Sequence, residues 1–303
     1  MAGMRRLLYS GLALAAGTLL LSLAAGELLT RPVRARIGPP PPDLSAEPVH
    51  IPYGERQQVS GWFLPGRAGE GVVLLLHGVR GSRLEMLERA RWLQREGIGS
   101  LALDLPSHGE SSGDRISFGR REALGVQAAL GWLRERLPEE RLGAIGVSLG
   151  GASLLFAERQ PELDALVLES VYPTITDAVQ DRLVKRLGPA GAWAAPLLLL
   201  QIPLRLGLGV HELRPIEAIK DVRAPLLVAS GTEDRSTRWV ETEQLFAAAP
   251  EPKTLAAVPG AGHEDLRDFD TEAYEARLLP WLQSHLRKSP GQRGQTALGK
   301  MAA

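Results

Sequence analysis

The 303-residue sequence has no cysteine, and its 35 acidic side chains balance its 35 basic ones. The missing cysteine excludes disulfide bonds, a thiolate nucleophile and any zinc site with sulfur ligands. A net charge of zero is unlike a nucleic-acid-binding chain, which carries a basic surplus on one face, so we expect no nucleic-acid partner. Hydrophobic residues make up 44% of the chain and charged residues 23%, which is ordinary for a globular protein with a sizeable core.

An apolar segment lies at the amino terminus, in residues 1–30. From Leu7 to Leu29 the chain is dominated by Leu and Ala, and it carries no charge between Arg6 and Glu27. This run has the length of a transmembrane helix, although the small residues near its end also fit a cleaved signal peptide. We therefore expect membrane contact through this segment, either as an anchor or as a leader whose removal releases the protein.

The segments that flank the folded domain are also recognisable from composition. Residues 31–46 contain Gly38 followed by four prolines, which predicts a stiff polyproline linker that stands the next domain off the bilayer. Residues 289–303 have few apolar side chains, and we predict a disordered tail. The folded domain should therefore occupy residues 47–288.

Within that domain, short apolar or β-branched runs alternate with longer amphipathic stretches. Such alternation is typical of βαβ units around a mostly parallel sheet. We predict an α/β fold with an eight-stranded sheet flanked by helices. The predicted strands are 49–53, 59–64, 72–76, 100–103, 142–147, 165–168, 225–229 and 254–258, and the predicted helices are 82–96, 118–137, 149–159, 237–248 and 265–287.

One long stretch, residues 171–223, interrupts this alternation after the sixth predicted strand. A compact domain seldom leaves so long a segment as plain loop, so we predict an inserted helical cap. Its central part, from Gly188 to Val210, is strongly apolar but is interrupted by prolines and by Arg205, which argues against a second membrane span. We interpret it as an apolar lid over an acyl-binding groove, or simply as the core of the cap.

The pattern G-x-S-x-G occurs twice, around Ser148 and around Ser111. In this motif the serine lies on a sharp strand-to-helix turn, where small neighbours leave its hydroxyl exposed. Ser148 has the required context, with an apolar strand before it and a helical run after it. Ser111 is flanked by polar loop residues on both sides. We therefore predict Ser148 as a nucleophile and reject Ser111.

A serine nucleophile needs a histidine base and usually a carboxylate that orients the histidine. With this motif, both come from loops after later strands, the acid before the histidine. His263 follows the last predicted strand in a glycine-rich turn, and Asp234 follows the strand before it. Glu233, Glu169 and Asp221 are competing acids, and we predict Asp234.

An oxyanion hole requires two backbone N–H donors. One belongs to the residue after the nucleophile, here Leu149, and the other comes from the loop after the third strand. That loop is residues 77–82. We predict that the amide of Val79 is the second donor.

Together these segments resemble the α/β-hydrolase superfamily. They are Leu74–Gly78, Asp104–Ser111, the turn at Ser148, Gly231–Asp234 and Gly262–His263. The sequence is similar to the branch that holds serine aminopeptidase-like hydrolases, monoglyceride lipases and membrane-anchored depalmitoylating thioesterases. The resemblance implies an α/β-hydrolase fold and hydrolysis of esters, thioesters or amides without a metal or organic cofactor. It also implies that Asp104–Ser111 is a structural loop, which supports rejecting Ser111.

These residues predict a serine hydrolase that forms an acyl-enzyme on a carboxylic ester or thioester, and the cap favours an apolar acyl group. The expected partner is a small-molecule or lipid acyl substrate. An amide hydrolase of the serine aminopeptidase type is the alternative, and it would need an acidic anchor in the cap such as Glu212 or Glu217. A membrane-tethered binding protein without turnover is a more distant alternative. We expect a membrane-anchored protein with its catalytic domain outside the cytoplasm, or a secreted one if the leader is cleaved.

Overall fold

The computed structural model describes residues 2–157 and 163–289, and its central element is an eight-stranded sheet. The strands are β1 Glu47–Gly54, β2 Gln57–Leu64, β3 Val72–Leu76, β4 Gly99–Leu103, β5 Leu142–Val147, β6 Ala165–Glu169, β7 Leu226–Gly231 and β8 Lys253–Val258. They lie in the order β8-β7-β6-β5-β3-β4-β2-β1. β2 runs antiparallel to β1 and β4, and the other neighbouring strands are parallel. The predicted mostly parallel, eight-stranded sheet is confirmed.

Helices flank this sheet and differ from the predicted ones mainly at their ends. They are α1 Ala2–Thr30, α2 Leu87–Glu96, α3 Glu122–Arg136, α4 Leu149–Phe156, α5 Ile175–Leu187, α6 Gly191–Leu199, α7 Gln201–Leu206, α8 Pro215–Ala218, α9 Trp239–Ala248, α10 Leu266–Phe269 and α11 Thr271–Leu286. The predicted helix 265–287 is divided at Asp270, whose carboxylate caps the start of α11 by accepting the Ala273 amide. The predicted helix 149–159 ends at Phe156, and residue 159 lies outside the described residues.

The sheet separates two hydrophobic cores because successive side chains of a strand point to opposite faces. In β3, Leu74 belongs to a core shared with α3 and α4, whereas Leu75 belongs to a core shared with α2 and α11. Both side chains are fully buried. Because helices cover both faces of the sheet, the central strands are continuous apolar runs. It also leaves the carboxyl edge of the parallel strands as the place where polar loops converge.

Helices α5 to α8 lie between β6 and β7, where the sequence predicts a cap. Two segments of the described chain have the length and hydropathy of a membrane span: Met4–Thr30, with a mean hydropathy of 1.9, and Ile175–Leu206, with 1.4. The second is divided into α5, α6 and α7 by a 3₁₀ turn at Gly188–Ala190 and a turn at Leu200. We therefore treat the second segment as part of the cap.

The last turns of α1 contact both the cap and the α/β domain. Arg115, in the loop that precedes α3, donates to Glu27 of α1 at 2.8 Å, and Arg205 of α7 donates to the same carboxylate at 2.5 Å. Gln201 of α7 also donates to the Ser22 hydroxyl at 2.9 Å. The carboxyl-terminal end of α1 is therefore fixed between two parts of the chain.

The linker of residues 31–46 differs from the free-standing spacer that its prolines predict. Val33 pairs with His108 in a short parallel bridge. Glu110 accepts two backbone N–H groups from the linker, at 2.9 and 3.1 Å. Leu44 is buried in the core beneath it. The linker thus lies along the α/β domain, because its backbone amides and apolar side chains find partners there.

Candidate active site

Ser148 lies on the turn between β5 and α4. Its φ of 48° and ψ of −105° are rare for a residue with a side chain, so the backbone is strained. The turn depends on its glycine neighbours. A Cβ on Gly150 would lie 2.6 Å from the Leu76 carbonyl oxygen, and one on Gly146 would lie 2.6 Å from the Gly151 amide nitrogen. The motif therefore folds into the sharp strand-to-helix turn that it predicts.

Asp234 and His263 form a hydrogen-bonded pair in the loops after β7 and β8. His263 Nδ1 lies 2.7 Å from Asp234 Oδ2, and the aspartate side chain is fully buried. Asp234 Oδ1 accepts the backbone amides of Ser236 and Thr237 at 2.7 and 2.9 Å, which fixes the carboxylate. Because an ionised carboxylate only accepts hydrogen bonds, we assign the imidazole proton to Nδ1 and a free lone pair to Nε2.

All three predicted side chains lie at the carboxyl edge of the sheet, but Ser148 and His263 are not hydrogen-bonded to each other. Ser148 Oγ is buried and has no hydrogen-bond partner among the described residues. His263 Nε2 instead faces Arg182 of α5, whose Nη2 lies 3.5 Å away. A cap residue therefore occupies the position beside the lone pair of His263.

Sequence reasoning did not identify Arg182. Its guanidinium also donates to the Ala178 and Ser236 carbonyl oxygens at 3.0 and 3.2 Å, which places it against the loop that carries Asp234. Burial lowers the pKa of this guanidinium below its ordinary value. The sequence shows only a basic residue in a cap helix. Its place beside His263 could not be predicted, because tertiary packing decides which side of that helix faces the site.

Val79 and Leu149 were predicted to donate the backbone N–H groups of an oxyanion hole. Val79 lies in the loop after β3, and Leu149 is the first residue of α4. The close approach of Gly150 to the end of β3 brings these two backbone segments together. Neither amide donates a hydrogen bond to another described residue, and their role as oxyanion donors remains a prediction.

Two buried histidines hold the loop after β3 against the loop after β4. His77 Nδ1 donates to the Gly78 carbonyl at 2.7 Å, and its Nε2 accepts the Leu105 amide at 3.1 Å. His108 Nε2 accepts the Arg80 amide at 3.2 Å. Burial lowers the pKa of both histidines to about 4, so both are neutral at pH 7. Their role is to fix the loop that carries one predicted oxyanion donor.

The competing nucleophile and one competing acid have other partners. Ser111 Oγ donates to the Asp104 carbonyl at 2.6 Å and accepts the Ser60 amide at 2.8 Å. Glu169 forms a buried ion pair with Arg89 at 2.7 Å. Burial raises the pKa of Glu169, although the charge of Arg89 opposes this. Within the described chain, Asp234 is the carboxylate that contacts His263.

The groups of this site that we predict to bind a ligand are hydrogen-bond donors. Over residues 2–157 and 163–289, no cluster of three or more His, Asp or Glu side chains is arranged to hold a metal ion. The donors are the amides of Val79 and Leu149 and the guanidinium of Arg182. Such groups bind carbonyl oxygens, oxyanions and other negatively charged groups.

Comparison with known proteins identifies the family. Residues 73–277 match the Alpha/beta hydrolase family, and the chain belongs to that family. The uncharacterized protein Rv2307c of Mycobacterium tuberculosis is 31% identical over 236 residues, which cover 75% of this chain and 77% of the relative. The uncharacterized protein YfhR of Salmonella typhi is 26% identical over 247 residues, with the same coverage of both chains.

Solved structures share the fold. The Pyrococcus furiosus esterase Pf2001 superposes with a TM-score of 0.69 at 23% identity, over 85% of this chain and 98% of its own. A thermophilic esterase from Thermogutta terrifontis superposes with a TM-score of 0.57 at 18% identity, over 80% of this chain and 99% of its own. These similarities confirm the predicted α/β-hydrolase fold.

Proposed function

We propose that the protein is a serine hydrolase that cleaves a carboxylic ester or thioester, with Ser148, His263 and Asp234 as its catalytic side chains. The observation that carries this proposal is the pairing of His263 Nδ1 with a buried aspartate at 2.7 Å. That pairing leaves Nε2 as a base at the sheet edge where Ser148 occupies its strained turn. Membership of the Alpha/beta hydrolase family supports the same conclusion.

The proposed reaction has two steps. Ser148 Oγ attacks the acyl carbonyl carbon while His263 Nε2 takes the hydroxyl proton, and Asp234 stabilises the imidazolium. The amides of Val79 and Leu149 stabilise the tetrahedral oxyanion. The imidazolium then gives its proton to the leaving alcohol or thiol as the C–O or C–S bond breaks. In the second step water loses a proton to His263 and attacks the acyl-enzyme. The imidazolium then returns that proton to Ser148 Oγ as the acyl C–O bond breaks and the acid leaves.

This reaction requires Ser148 Oγ and His263 Nε2 to meet. In this structure Ser148 Oγ has no partner and His263 Nε2 faces Arg182. Hydrogen bonds between catalytic groups are often long before substrate binds and tighten in the complex. We propose that movement of Arg182 away from Nε2 accompanies that tightening.

An apolar acyl group is the proposed substrate element, because α6 and α7 of the cap carry both buried and exposed apolar side chains. Ile202 and Leu206 of α7 are buried and belong to the hydrophobic core. Trp193 and Leu204, on α6 and α7, are 87% and 86% exposed. Exposed large apolar side chains of this kind mark surfaces that bind lipids or other apolar ligands.

The alternative, an aminopeptidase-like amide hydrolase, has less support. Its substrate ammonium would need a free acid in the cap, but Glu212 accepts the Gly209 amide at 2.6 Å and Glu217 is paired with Lys220 at 2.6 Å. The cap side chain beside His263 is instead Arg182, whose positive charge would repel an ammonium group.

A fluorophosphonate probe tests the hydrolase proposal, because it reacts with an activated serine. We expect labelling of the wild type and none of Ser148→Ala, whereas a binding protein without turnover would not be labelled. Initial rates on p-nitrophenyl esters of increasing chain length, compared with aminoacyl p-nitroanilides, then identify the substrate class. Equal labelling of Ser148→Ala would refute the assigned nucleophile, and a preference for the anilides would refute the ester assignment.

We also propose that α1 anchors the protein in a membrane, with the catalytic domain outside the cytoplasm. Met4–Thr30 has the hydropathy of a span and only 6% of its most apolar window is buried. The full chain should therefore remain with the membrane after alkaline carbonate extraction, and protease added outside intact cells should digest the domain. Recovery in the soluble fraction would contradict an anchor, and sequencing of the mature amino terminus would show whether a leader has been cleaved.

A further inference from the structure

Arg182 is a mostly buried cation without a carboxylate of its own. It forms no ion pair with any carboxylate in the described part of the chain. Its neighbour Asp181 is paired with Arg238 at 2.9 Å. Asp234, Asp181 and Glu241 are all close enough to act on Arg182 electrostatically. The oxygens of Asp234 are occupied by His263 and two amides, and Glu241, like Asp181, pairs with Arg238. Because buried charges in proteins are normally paired, a ligand is the expected source of the missing partner.

The position of Arg182 indicates which part of a substrate it would meet. In the proposed reaction His263 Nε2 gives its proton to the leaving oxygen or sulfur. The guanidinium Nη2 lies 3.5 Å from that nitrogen, so Arg182 lies on the leaving-group side. The acyl carbonyl oxygen is assigned to the amides of Val79, in the loop after β3, and Leu149, at the start of α4.

A second cation lies along the same side of the site. Lys185, one turn further along α5, donates from Nζ to the Ser236 hydroxyl at 3.3 Å. Arg182 donates to the carbonyl oxygen of the same residue. Like Arg182, Lys185 forms no ion pair within the described residues. Two cations of α5 therefore contact Ser236 in the loop of Asp234, whereas Asp181 of the same helix pairs with Arg238 further along that loop.

Building on the proposed hydrolase function, we propose that Arg182 binds an anionic group, a carboxylate or a phosphate, on the alcohol or thiol part of the substrate, with Lys185 adding to the attraction. A guanidinium suits both anions because its planar N–H groups can donate in pairs. Binding of the anion would draw Arg182 away from His263 Nε2. The base would then be free to accept the proton of Ser148, so the charge of the substrate completes the active site.

The experiment compares esters that share a butyryl group and differ only in the charge of the leaving group. 4-Carboxyphenyl butyrate carries the anion, 4-carbamoylphenyl butyrate is its neutral counterpart, and 4-phosphonophenyl butyrate separates phosphate from carboxylate recognition. The variants are Arg182→Gln, Arg182→Lys and Arg186→Gln. The last is the control, because Arg186 is an exposed residue of the same helix and its loss changes the net charge equally.

We expect the wild type to favour an anionic ester by about tenfold to a hundredfold in kcat/KM, since a hydrogen bond to a charged group has that effect. The preference should disappear in Arg182→Gln, return in part in Arg182→Lys and persist in Arg186→Gln. Equal rates for charged and neutral esters in the wild type would overturn the proposal. So would an equal loss of preference in Arg186→Gln.

Binding to Ser148→Ala separates this proposal from the hydrolase proposal. Calorimetry should show tighter binding of 4-hydroxybenzoate than of 4-hydroxybenzamide, and the difference should vanish in the double variant that adds Arg182→Gln. If the wild type hydrolyses no ester but this binding difference is present, the anion site stands and the hydrolase function fails. If the wild type hydrolyses neutral esters but Ser148→Ala binds the two phenols equally well, the anion site is refuted and the hydrolase function stands.

Discussion

Replacing Asp234 by asparagine separates catalysis from stability. The Asp234 carboxylate is fully buried and has two separate functions: Oδ1 accepts two loop amides at 2.7 and 2.9 Å, and Oδ2 contacts His263 Nδ1 at 2.7 Å. Asparagine retains one oxygen, which can still hold the loop. Its NH₂ group then faces Nδ1 and favours the imidazole tautomer that carries the proton on Nε2. The base is lost, and we expect kcat to fall by about 10⁴-fold.

The same substitution should change the free energy of unfolding by no more than about 1 kcal/mol, because the loop hydrogen bonds remain. Asp234→Ala should also abolish activity, but it leaves two buried amides unsatisfied and should cost about 2–5 kcal/mol of stability. Glu233→Gln is the matched control, since Glu233 is the exposed acidic neighbour and should be silent in both measurements.

Steady-state rates on p-nitrophenyl butyrate and urea unfolding monitored by circular dichroism measure the two effects. An Asp234→Asn variant that keeps more than about a tenth of the wild-type kcat would refute the assigned role of the carboxylate. If Asp234→Asn is as unstable as Asp234→Ala, the idea that one carboxylate oxygen holds the loop while the other orients His263 is refuted. Loss of activity in Glu233→Gln would show that Glu233, and not Asp234, is the carboxylate that catalysis requires.

Two further predictions concern stability. Burial lowers the pKa of His77 to about 4, so the unfolded chain protonates this imidazole at a higher pH than the folded chain does. Lowering the pH from about 6.5 to 4 should therefore remove about 3 kcal/mol of stability. Urea unfolding of His77→Gln should lack that part of the pH dependence, and an unchanged dependence would contradict a neutral buried imidazole. Gly150→Ala should lower the activity, the melting temperature and the free energy of unfolding, the last by about 1–3 kcal/mol, because the new Cβ would lie 2.6 Å from the Leu76 carbonyl oxygen. Gly131 lies in the interior of α3, where a Cβ would meet no atom within 4 Å, so Gly131→Ala should instead stabilise the protein by up to about 1 kcal/mol. Equal effects of the two substitutions would contradict the close approach at Gly150.

The sheet and the placement of the three predicted side chains could be derived from sequence because both depend on local signals. Strands buried on both faces read as continuous apolar runs, as β3 does. Parallel strands share one carboxyl edge, so residues that follow different strands, such as Asp234 and His263, were expected to meet. Steric crowding explains why glycines flank Ser148, since no larger residue fits the turn.

The remaining features depend on tertiary contacts that no local pattern records. Arg182 could be identified as basic but not as the partner of His263, because the rotation of a cap helix about its axis is fixed by packing. The linker was expected to stand free, since its prolines favour an extended chain, yet the burial of Leu44 and the amides accepted by Glu110 hold it on the domain. The Arg89–Glu169 pair likewise joins residues far apart in sequence.

The carboxylate of Glu27 joins α1 to both the cap and the α/β domain. Ser148 Oγ is buried, so the groups around it must move before a substrate can reach it. Arg205 of the cap and Arg115 of the α/β domain both donate to Glu27 near the end of α1. If α1 spans a bilayer, tilting is one way in which it would accommodate a difference between its apolar length and the thickness of the hydrocarbon layer. A tilt of such an anchor would then reach the cap and the α/β domain through the same carboxylate, because Glu27 is the acceptor for both arginines.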